Sequence, residues 1–563
     1  MSNLHLLKRL RTARYLKPSQ LFYYILRRGL PARAVKYNGP VTTRAEAKLV
    51  EPIPVNGIYV SDTEFEFLNV TRDIGADQTD WQSGDMSRLW QYNLHYFDFL
   101  RESERSLENK KALINDWINA NPQGAQPGWE PFTVSLRIVN WMFFFLTSME
   151  REDIPPAWIE SLFEQALWLA SNDEKHILAN HYFENIKALM FAGVYFQGKT
   201  AAKWLKKSQQ LLREQLHEQF LEDGGHYEKS PQYHCLMLEN CLDLYNLVAN
   251  NRAVCDLKLQ TILKSQIEYS LHWLSDIQYH NGEIPLFNDT VNNVAPAYLE
   301  LSQYASRLFL YEPEASIVSG GKVIDLYASG YYGIEAGLDK FLIDCGDISP
   351  DYQPGHTHCD FLSYELVFDD QMIVVDSGVF EYTEGAMRNY VRSTQAHNTV
   401  SVDGDQQSEI WAEFRVARRA CKLFAEITQN NQGAYFKGGY EGFYAVSGKA
   451  KHMRDVAMQL NEAGNAISRI TIRDDIQFKG KHQVESFIHL HPSLVCKDDG
   501  AGNIALIQFG ERVANVILDK EISYKISTSY YCPEFGRRLE NSVIIMQHAG
   551  IDGVDMGYMI EKV

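Results

Sequence analysis

The apolar residues of this chain change their spacing near residue 315. From about residue 85 to 310 they recur at helical intervals, as in Lys203–Phe220, Leu236–Ala249 and Leu257–Leu274. Helix follows helix with almost no strand pattern between them. This part of the sequence therefore predicts an α-helical bundle, a solenoid or an α/α toroid.

The C-terminal part has the spacing of short β-strands. Strand-type runs occur at Phe341–Cys345, Leu362–Phe368, Met372–Val375 and Asn398–Val402, and the last of these ends at the turn dipeptide Asp403-Gly404. Repeated short strands bounded by Gly, Asp and Pro are typical of an antiparallel β-sandwich. The predicted fold class is therefore α+β and multidomain.

A chain of 563 residues is too long for one ordinary globular core. The predicted division has three parts: a basic N-terminal segment with a small β excursion at 1–84, a helical domain at 85–315, and an antiparallel β-sandwich at 316–563. The most apolar stretch, Ile138–Met149, is uncharged and only twelve residues long. It suits a buried helix and is too short to cross a membrane, so no transmembrane segment is expected.

Residues 1–40 contain nine Lys or Arg and no Asp or Glu. These basic residues are dispersed, and no unbroken apolar stretch follows them, so the segment does not have the pattern of a signal peptide. The expected location is cytoplasmic, with the periplasm or export by another route left open. Leu4, Leu7, Leu10 and Arg14 indicate an amphipathic helix. Residues 1–36 could dock weakly on an anionic membrane surface or a partner, or pack on the acidic body of the protein.

The net charge of −18 and the pI of about 5.4 argue against general nucleic-acid binding, which needs a basic surface. They do not exclude an acidic substrate, because a local cleft can be basic in an acidic protein. None of the eight Cys forms a CxxC pair. A thiolate zinc site is therefore not expected, and the cysteines are interpreted as scattered buried thiols.

Chemically capable residues concentrate in three segments. The first is Ala179–Asn185, where Asn180 and His181 could present hydrogen-bond donors to a cleft, although Asn180 could also simply cap a helix. The second is Gly224–His234, a loop dense in His, Tyr and charged groups. Its Tyr233 could equally be a packed aromatic residue at a helix start.

The third segment contains a possible metal site. His356 and His358 lie in Gly355–Asp360, and Asp376 and His397 follow at what we interpret as the borders of separate strands. His358, Asp376 and His397 form a mixed N/O ligand set that suits one divalent ion, zinc or manganese. The alternative is a hydrogen-bonded His–Asp–His cluster without an ion.

Together these segments resemble the heparinase II/III family of polysaccharide lyases. The resemblance covers most of the chain from about residue 85 and is strongest in Ala179–His181, Ser230–His234 and Gly355–Asp360, with the residues around Asp376 and His397. It implies an N-terminal α/α toroid joined to a C-terminal antiparallel β-sandwich, with the active site in the cleft between them. It also implies cleavage of uronate-containing glycans by β-elimination.

Elimination requires removal of the proton on C5 of a uronate, next to a carboxylate, so hydrogen-bond donors must stabilise the enolate-like state. By resemblance, Asn180 with His181 matches that role. Tyr233 is the candidate base, although its reference pKa of about 10 requires stabilisation of the phenolate, and it can also be the acid when both atoms lie on one face. His356 is the second acid–base candidate. The metal ion would be mainly structural and would orient His356.

Five further residues are candidates for binding the acidic polysaccharide. They combine charge or hydrogen-bonding capacity with positions in or near the three segments: Arg137, Glu228, His234, Arg388 and Arg392.

Two other classes of function remain open. A glycoside hydrolase would use two carboxylates, for which Glu184 and Glu228 are candidates. A non-catalytic or biosynthetic uronate-glycan-binding protein would bind without turnover. The polymer itself is also open among heparan sulfate, chondroitin or hyaluronan, alginate and a bacterial capsular uronate polymer.

Overall fold

The computed structural model of this protein describes residues 3–29, 32–75, 79–312, 321–446, 449–500 and 502–563. Helices dominate the described residues up to 312. In chain order the helices are α1 (Asn3–Ala13), α2 (Pro18–Gly29), α3 (Arg88–Tyr96), α4 (Leu107–Ala120), α5 (Pro131–Thr147), α6 (Pro156–Asn172), α7 (Ala179–Tyr195), α8 (Lys199–Gln219), α9 (Pro231–Asn250), α10 (Leu257–Ile277), α11 (Tyr298–Phe309) and, much later, α12 (Ala386–Val391). The three sequence segments with helical spacing lie largely in α8, α9 and α10.

The interior of the helical region is built from helices that are buried on most sides. In α5 the side chains of Ile138, Trp141 and Phe145 are at most 1% exposed, as the apolar stretch there predicts. The helix begins at Pro131, where the missing N–H is not needed for a hydrogen bond within the helix. Successive helices such as α7 and α8, or α9 and α10, pack against each other.

Strands dominate the described residues from 321 onward. In chain order the strands are β1 (Glu64–Phe67), β2 (Val70–Asp73), β3 (Lys322–Leu326), β4 (Tyr331–Ala336), β5 (Asp339–Asp344), β6 (Tyr364–Phe368), β7 (Gln371–Val374), β8 (Val400–Val402), β9 (Ile410–Trp411), β10 (Arg415–Val416), β11 (Cys421–Asn430), β12 (Gly433–Gly442), β13 (Ala450–Leu460), β14 (Ile467–His489), β15 (Leu494–Asp498), β16 (Asn503–Gln508), β17 (Glu511–Leu518), β18 (Ser523–Glu534) and β19 (Arg537–Lys562). The β1–β2 hairpin lies in the N-terminal segment. The predicted boundary between residues 315 and 316 lies outside the described residues.

Two antiparallel sheets form the β region. Strands β3 to β7 make a five-stranded sheet in sequence order, and a ten-stranded sheet extends from β11 through β14 and β19 to β15. The five-stranded sheet is buried on both faces. On adjacent strands Tyr331 and Leu342 belong to the core of the helical region, whereas Tyr332 and Phe341 pack into the core between the two sheets. This sheet therefore lies between the helices and the larger sheet.

The layered arrangement brings chain segments from both regions to the junction between them. The helical region contributes the starts of α7 and α9 and the connection between α10 and α11. The β region contributes the β5–β6 loop, the residues after β7 and the segment before β8. Among the helices in the described part of the chain, none is long and apolar enough to span a bilayer.

Candidate active site

Tyr233 lies in the first turn of α9, and the local sequence fixes that helix start. Pro231 occupies the first turn, and the Ser230 hydroxyl accepts a hydrogen bond from the Tyr233 amide N–H. The same hydroxyl donates to the backbone carbonyl of Asp289 in the α10–α11 connection. The Tyr233 residue is only 8% exposed. Its ring is therefore held in place by a capped helix and by a second chain segment.

His356 lies directly against Tyr233. The two rings stack with centroids 3.8 Å apart and planes at 28°. His356 Nδ1 is 2.9 Å from the Asp289 carboxylate. Because an ionised carboxylate can only accept, Nδ1 carries the proton and Nε2 of the neutral ring keeps a free lone pair. Burial lowers the pKa of His356, so the neutral base form is favoured.

Asp289, which the sequence analysis missed, organises this part of the site. It is fully buried and accepts hydrogen bonds from His356, His358 and both terminal nitrogens of Arg388. Burial alone would raise the pKa of Asp289, but Arg388 and the two histidines hold it well below its usual range. The sequence signal was faint: an Asn-Asp-Thr run between Phe287 and Val291.

Asn180 lies at the strained start of α7. The preceding residues Leu178 and Ala179 have φ of 66° and 53°, in the left-handed region that residues with a side chain seldom adopt. Leu178 occupies the N-cap position and no side chain caps the helix, so the structure rules out capping as the role of Asn180. The Asn180 Oδ1 accepts from the His181 amide. Its Nδ2 has no acceptor among the described residues and can donate to a ligand.

His181 belongs to the same site as His356. Its Nδ1 is 3.1 Å from Glu174 Oε1, and its ring packs on Phe132 with centroids 4.3 Å apart. Burial lowers the pKa of His356 most, Asp289 raises it, and the positive charges of Arg388 and His181 lower it further. His181 remains 30% exposed. The structure thus brings two of the four predicted catalytic residues, Tyr233 and His356, into contact and places His181 within electrostatic range.

A second phenol, also missed in the sequence analysis, meets Tyr233. The Tyr382 hydroxyl, from the segment between β7 and α12, is 3.4 Å from the Tyr233 hydroxyl. The Arg388 guanidinium lies over the Tyr382 ring at 4.9 Å. Burial raises the pKa of both tyrosines well above the usual value. Both phenols therefore keep their protons at neutral pH and can donate them.

Two buried histidines next to this centre each have one nitrogen without a hydrogen-bond partner among the described residues. His358 Nε2 lies 2.8 Å from Asp289, which leaves Nδ1 unpaired, and His397 Nδ1 lies 2.8 Å from Asp376, which leaves Nε2 unpaired. Since both carboxylates accept, the unpaired nitrogens carry the lone pairs of the neutral rings. Histidine ligands of metal ions are commonly oriented in this way.

The structure corrects the predicted carboxylate of this cluster. The group that could hold an ion is His358, Asp360 and His397, with ligand atoms within 4.8 Å of one another. Asp376 instead lies behind His397 and accepts from its Nδ1. Burial raises the pKa of Asp360 to about 6. Burial lowers the pKa of His397, but Asp376 and Asp360 raise it overall. With these raised pKa values, Asp360 and His397 hold protons more readily than usual. A divalent ion would take the place of these protons, so the three residues fit such an ion.

The three arginines predicted to bind substrate are buried and already engaged. Arg137 is 0% exposed, lies 3.8 Å over the Trp117 ring and donates to two backbone carbonyls. Arg388 binds Asp289. Arg392 donates to the carbonyl of Thr357, and burial lowers its pKa to about 9. The donors of these residues are used within the protein, and their binding of substrate stays a prediction to which the structure gives no support.

His234 and Glu228 are buried as well. His234 accepts from the His226 amide, its Nε2 lies 3.0 Å from the Ser270 carbonyl, and burial lowers its pKa to about 3. Both oxygens of Glu228 lack a hydrogen-bond partner among the described residues. Burial, with Asp289, raises the pKa of Glu228 to about 8. Neither side chain faces an open surface, so the structure does not support their predicted contact with substrate.

Solved structures share this architecture. A heparinase III crystal structure superposes with a TM-score of 0.67 at 17% identity, covering 87% of this chain and 80% of that one. The heparan sulfate lyase HepC from Pedobacter heparinus gives 0.56 at 16% identity, covering 89% and 81%. At this identity the likeness concerns the fold. It confirms the predicted α/α toroid followed by an antiparallel β-sandwich.

The sequence comparisons agree. A heparin-sulfate lyase of Pedobacter heparinus is 24% identical over 317 residues, which is 51% of this chain and 47% of the relative. One of Bacteroides thetaiotaomicron is 23% identical over 405 residues, 62% and 56% respectively. The chain thus spans about half the length of the curated relatives it matches. The family model "Heparinase II/III N-terminus" matches residues 44–315, and "Heparinase II/III-like, C-terminal" matches residues 319–555. The chain therefore belongs to the heparinase II/III family.

Proposed function

We propose that this protein is a polysaccharide lyase that cleaves uronate-containing glycans by β-elimination. The stacked Tyr233–His356 pair carries the proposal. It places a neutral imidazole with a free lone pair beside a protonated phenol, at the junction of the toroid and the sandwich. One group can accept a proton while the other donates one, which is the pairing that elimination requires.

The proposed elimination is a single step in which electrons and protons balance. His356 Nε2 takes the C5 proton, the C5–H electron pair forms the C4=C5 double bond, and the C4–O4 bond breaks. The Tyr233 hydroxyl protonates the departing O4. From the sequence alone, Tyr233 was the candidate base. The raised pKa of its phenol favours the acid role instead, because the phenolate is costly in a buried site.

Other residues stabilise charge as it develops. The free Nδ2 of Asn180, with His181 beside it, can donate to the substrate carboxylate as the enolate-like state forms. The Tyr382 hydroxyl, 3.4 Å from that of Tyr233, can donate to the phenolate that remains after protonation of O4. Arg388 keeps Asp289 charged, and Asp289 keeps the His356 proton on Nδ1.

We further propose one divalent ion, zinc or manganese, held by His358, Asp360 and His397. Its role would be structural. It would supply positive charge that ties the β5–β6 loop, which carries His358 and Asp360, to the segment of His397, two residues from His356. Asp289 and Asp376 orient the two histidines toward the ion site.

The proposed substrate class is glycosaminoglycan-like, because the relatives of this chain are named heparin-sulfate lyases. The polymer and the C5 epimer are to be found by experiment. A hydrolase is less well supported, since its candidate carboxylates Glu184 and Glu228 are only 6% and 2% exposed. Two such groups must flank the bond that they cleave.

Incubation with a panel of uronate polymers tests the proposal. The panel contains heparan sulfate, chondroitin, hyaluronan, alginate and capsular glucuronans. We expect ultraviolet absorbance from 4,5-unsaturated uronate ends with at least one polymer. Saturated products of hydrolysis, found by mass spectrometry, would contradict the lyase assignment. Binding to a polymer without any product would point to the non-catalytic alternative.

A further inference from the structure

The second N-terminal helix, α2, turns its polar side toward the protein and its apolar side outward. Gln20 is 2% exposed and donates to the backbone carbonyls of Ile177 and Tyr352. By contrast, Phe22 is 61% exposed and Ile25 70%. A surface helix of a globular protein normally has the opposite arrangement, with its apolar stripe on the core.

The first helix, α1, has the same inverted arrangement. Arg11 pairs with Glu409 of the sandwich, and Thr12 is 8% exposed. One helical turn apart on the other side, Leu6 is 54% exposed and Leu10 61%. Both helices therefore bind the protein through polar contacts and leave leucine, isoleucine and phenylalanine side chains in water.

This concentration of exposed apolar residues is specific to the segment. Of the 28 exposed large hydrophobic side chains in the described part of the chain, eight lie between Leu6 and Leu26. The match to the N-terminal family model begins only at residue 44. The two helices thus lie outside the matched region, and exposed apolar side chains gathered on two consecutive helices indicate an interaction surface.

The charge of the segment indicates what the surface binds. Residues 1–40 carry nine basic and no acidic residues, so the rest of the chain has a net charge of −27, from −18 minus 9. Arg11 and Lys17 are used in ion pairs with Glu409 and Glu218. Arg9, Arg14 and Arg28, in contrast, are exposed. Exposed arginines around an apolar patch complement anionic lipid headgroups around an acyl layer.

We propose that residues 3–29 dock this protein on the surface of an anionic lipid bilayer. Leu6, Leu10, Phe22 and Ile25 would enter the boundary between headgroups and acyl chains, and the exposed arginines would contact phosphate groups. With twelve residues, α2 is about 18 Å long and cannot cross a hydrocarbon core of about 30 Å, so it lies in the plane of the surface.

Helix α2, which carries part of the docking surface, contacts segments of the candidate active site through its opposite side. The two backbone carbonyls bound by Gln20 belong to Ile177 and Tyr352, three residues before Asn180 and four before His356. If the proposed lyase function holds, a docked molecule would have its cleft near glycans attached to the membrane. The docking itself does not depend on that function, and the test below measures lipid binding alone.

Vesicle flotation of the full-length protein tests the proposal. The probes are vesicles of phosphatidylcholine alone and vesicles in which about 30% of the lipid is anionic phosphatidylglycerol. The negative surface of the second kind attracts polybasic segments. We expect flotation with the anionic vesicles. It should weaken as salt rises from about 0.1 to 1 M, which shortens the Debye length from about 10 to 3 Å.

Paired variants identify the surface. Phe22→Ser with Ile25→Ser should lower the bound fraction about tenfold or more, the effect of removing two inserted apolar side chains. Arg9→Gln with Arg28→Gln should lower binding to anionic vesicles specifically. The control is Leu299→Ser with Ile551→Ser, at sites 64% and 74% exposed elsewhere on the protein, which should leave flotation unchanged. Melting temperatures of all variants should stay near that of the wild type.

Three results would overturn the proposal: absence of flotation with either vesicle, flotation that Phe22→Ser with Ile25→Ser leaves unchanged, or self-association in sedimentation that the same variant abolishes without any binding to vesicles. The last result would assign the patch to a second copy of this chain.

Discussion

The imidazole of His356 stacks on the phenol of Tyr233, with ring centroids 3.8 Å apart. One ring comes from the loop between strands β5 and β6, and the other from the first turn of helix α9. Neither half of the chain holds the pair alone. The candidate chemistry therefore depends on the contact between toroid and sandwich, and changes in this contact should affect turnover before they affect folding.

Removal of one hydroxyl should abolish turnover. Tyr233→Phe keeps the ring and its stacking but removes the proposed proton donor, so we expect turnover to fall ~100-fold or more. Its melting temperature and its affinity for glycan should remain close to those of the wild type. Tyr390→Phe is the matched control, because its hydroxyl bonds Ser529. Near wild-type rates for Tyr233→Phe would refute the assignment.

The second tyrosine should matter less. A hydrogen bond to a charged group contributes about 1.5–3 kcal/mol, so Tyr382→Phe should slow turnover roughly 10- to 100-fold. Since Tyr382 is proposed to act through Tyr233, the double variant should be no slower than Tyr233→Phe alone. Steady-state rates of the two single variants and the double variant check this. Fully multiplicative effects would show that Tyr382 acts independently.

Asp289 should be essential for stability. Asp289→Asn leaves the buried Arg388 without its counter-charge, which is expected to cost about 3–5 kcal/mol of unfolding free energy. Asp351→Asn removes the partner of Arg419 at a site where the aspartate is 73% exposed, and should cost about 1 kcal/mol or less. Urea unfolding of both variants gives the comparison. Equal midpoints would mean that Asp289 does not organise the site as described.

Residues with a local signal could be identified from the sequence. Tyr233 and His356 lie in short motifs of unusual composition, and the change in apolar spacing predicted both halves of the fold. Asp289 and Tyr382 could not be found in this way, because their contacts with His356 and Tyr233 join residues 67 and 149 positions apart. Such contacts follow from packing, which one sequence does not display.

Burial and side-chain direction were hidden from the sequence for the same reason. The positive charge of Arg137, Arg388 and Arg392 suggested substrate binding, but charge does not reveal burial, and all three are at most 1% exposed. The choice between Asp360 and Asp376 in the ion site depended on side-chain direction. Asp360 stood in the same motif as His358, so its proximity was available from the sequence.

Metal content should separate the two aspartates. Asp360→Asn removes a proposed ligand and His397→Ala another, so both variants should lose most of the zinc or manganese measured by elemental analysis. Asp376→Asn only loosens the orientation of His397, which typically weakens metal affinity ~10- to 100-fold. Chelation should lower the melting temperature of the wild type. A metal-free wild type, or full metal content in Asp360→Asn, would contradict the site.

Glu228 should make stability depend on pH. Burial raises its pKa to about 8 in the folded state, whereas an unfolded chain has about 4.3. The folded protein therefore binds more protons between these values. The contribution of Glu228 to stability is fully present below about pH 4 and is lost as pH rises toward 8. Glu228→Gln removes the titration and keeps the shape. With any bound metal removed by a chelator, we expect this variant to match the wild type near pH 4 and to exceed it at pH 8.

The expected gain from Glu228→Gln at pH 8 is a few kcal/mol, because each tenfold change in proton affinity corresponds to about 1.4 kcal/mol. Glu104→Gln is the control, at an exposed carboxylate whose pKa is lowered by its hydrogen bond to Ser103. It should not gain stability at pH 8, because that carboxylate is solvated and charged in both the folded and unfolded states there. Urea midpoints at the two pH values measure the difference. A Glu228→Gln variant no more stable than the wild type at pH 8 would show that the carboxylate has a stabilising partner in solution.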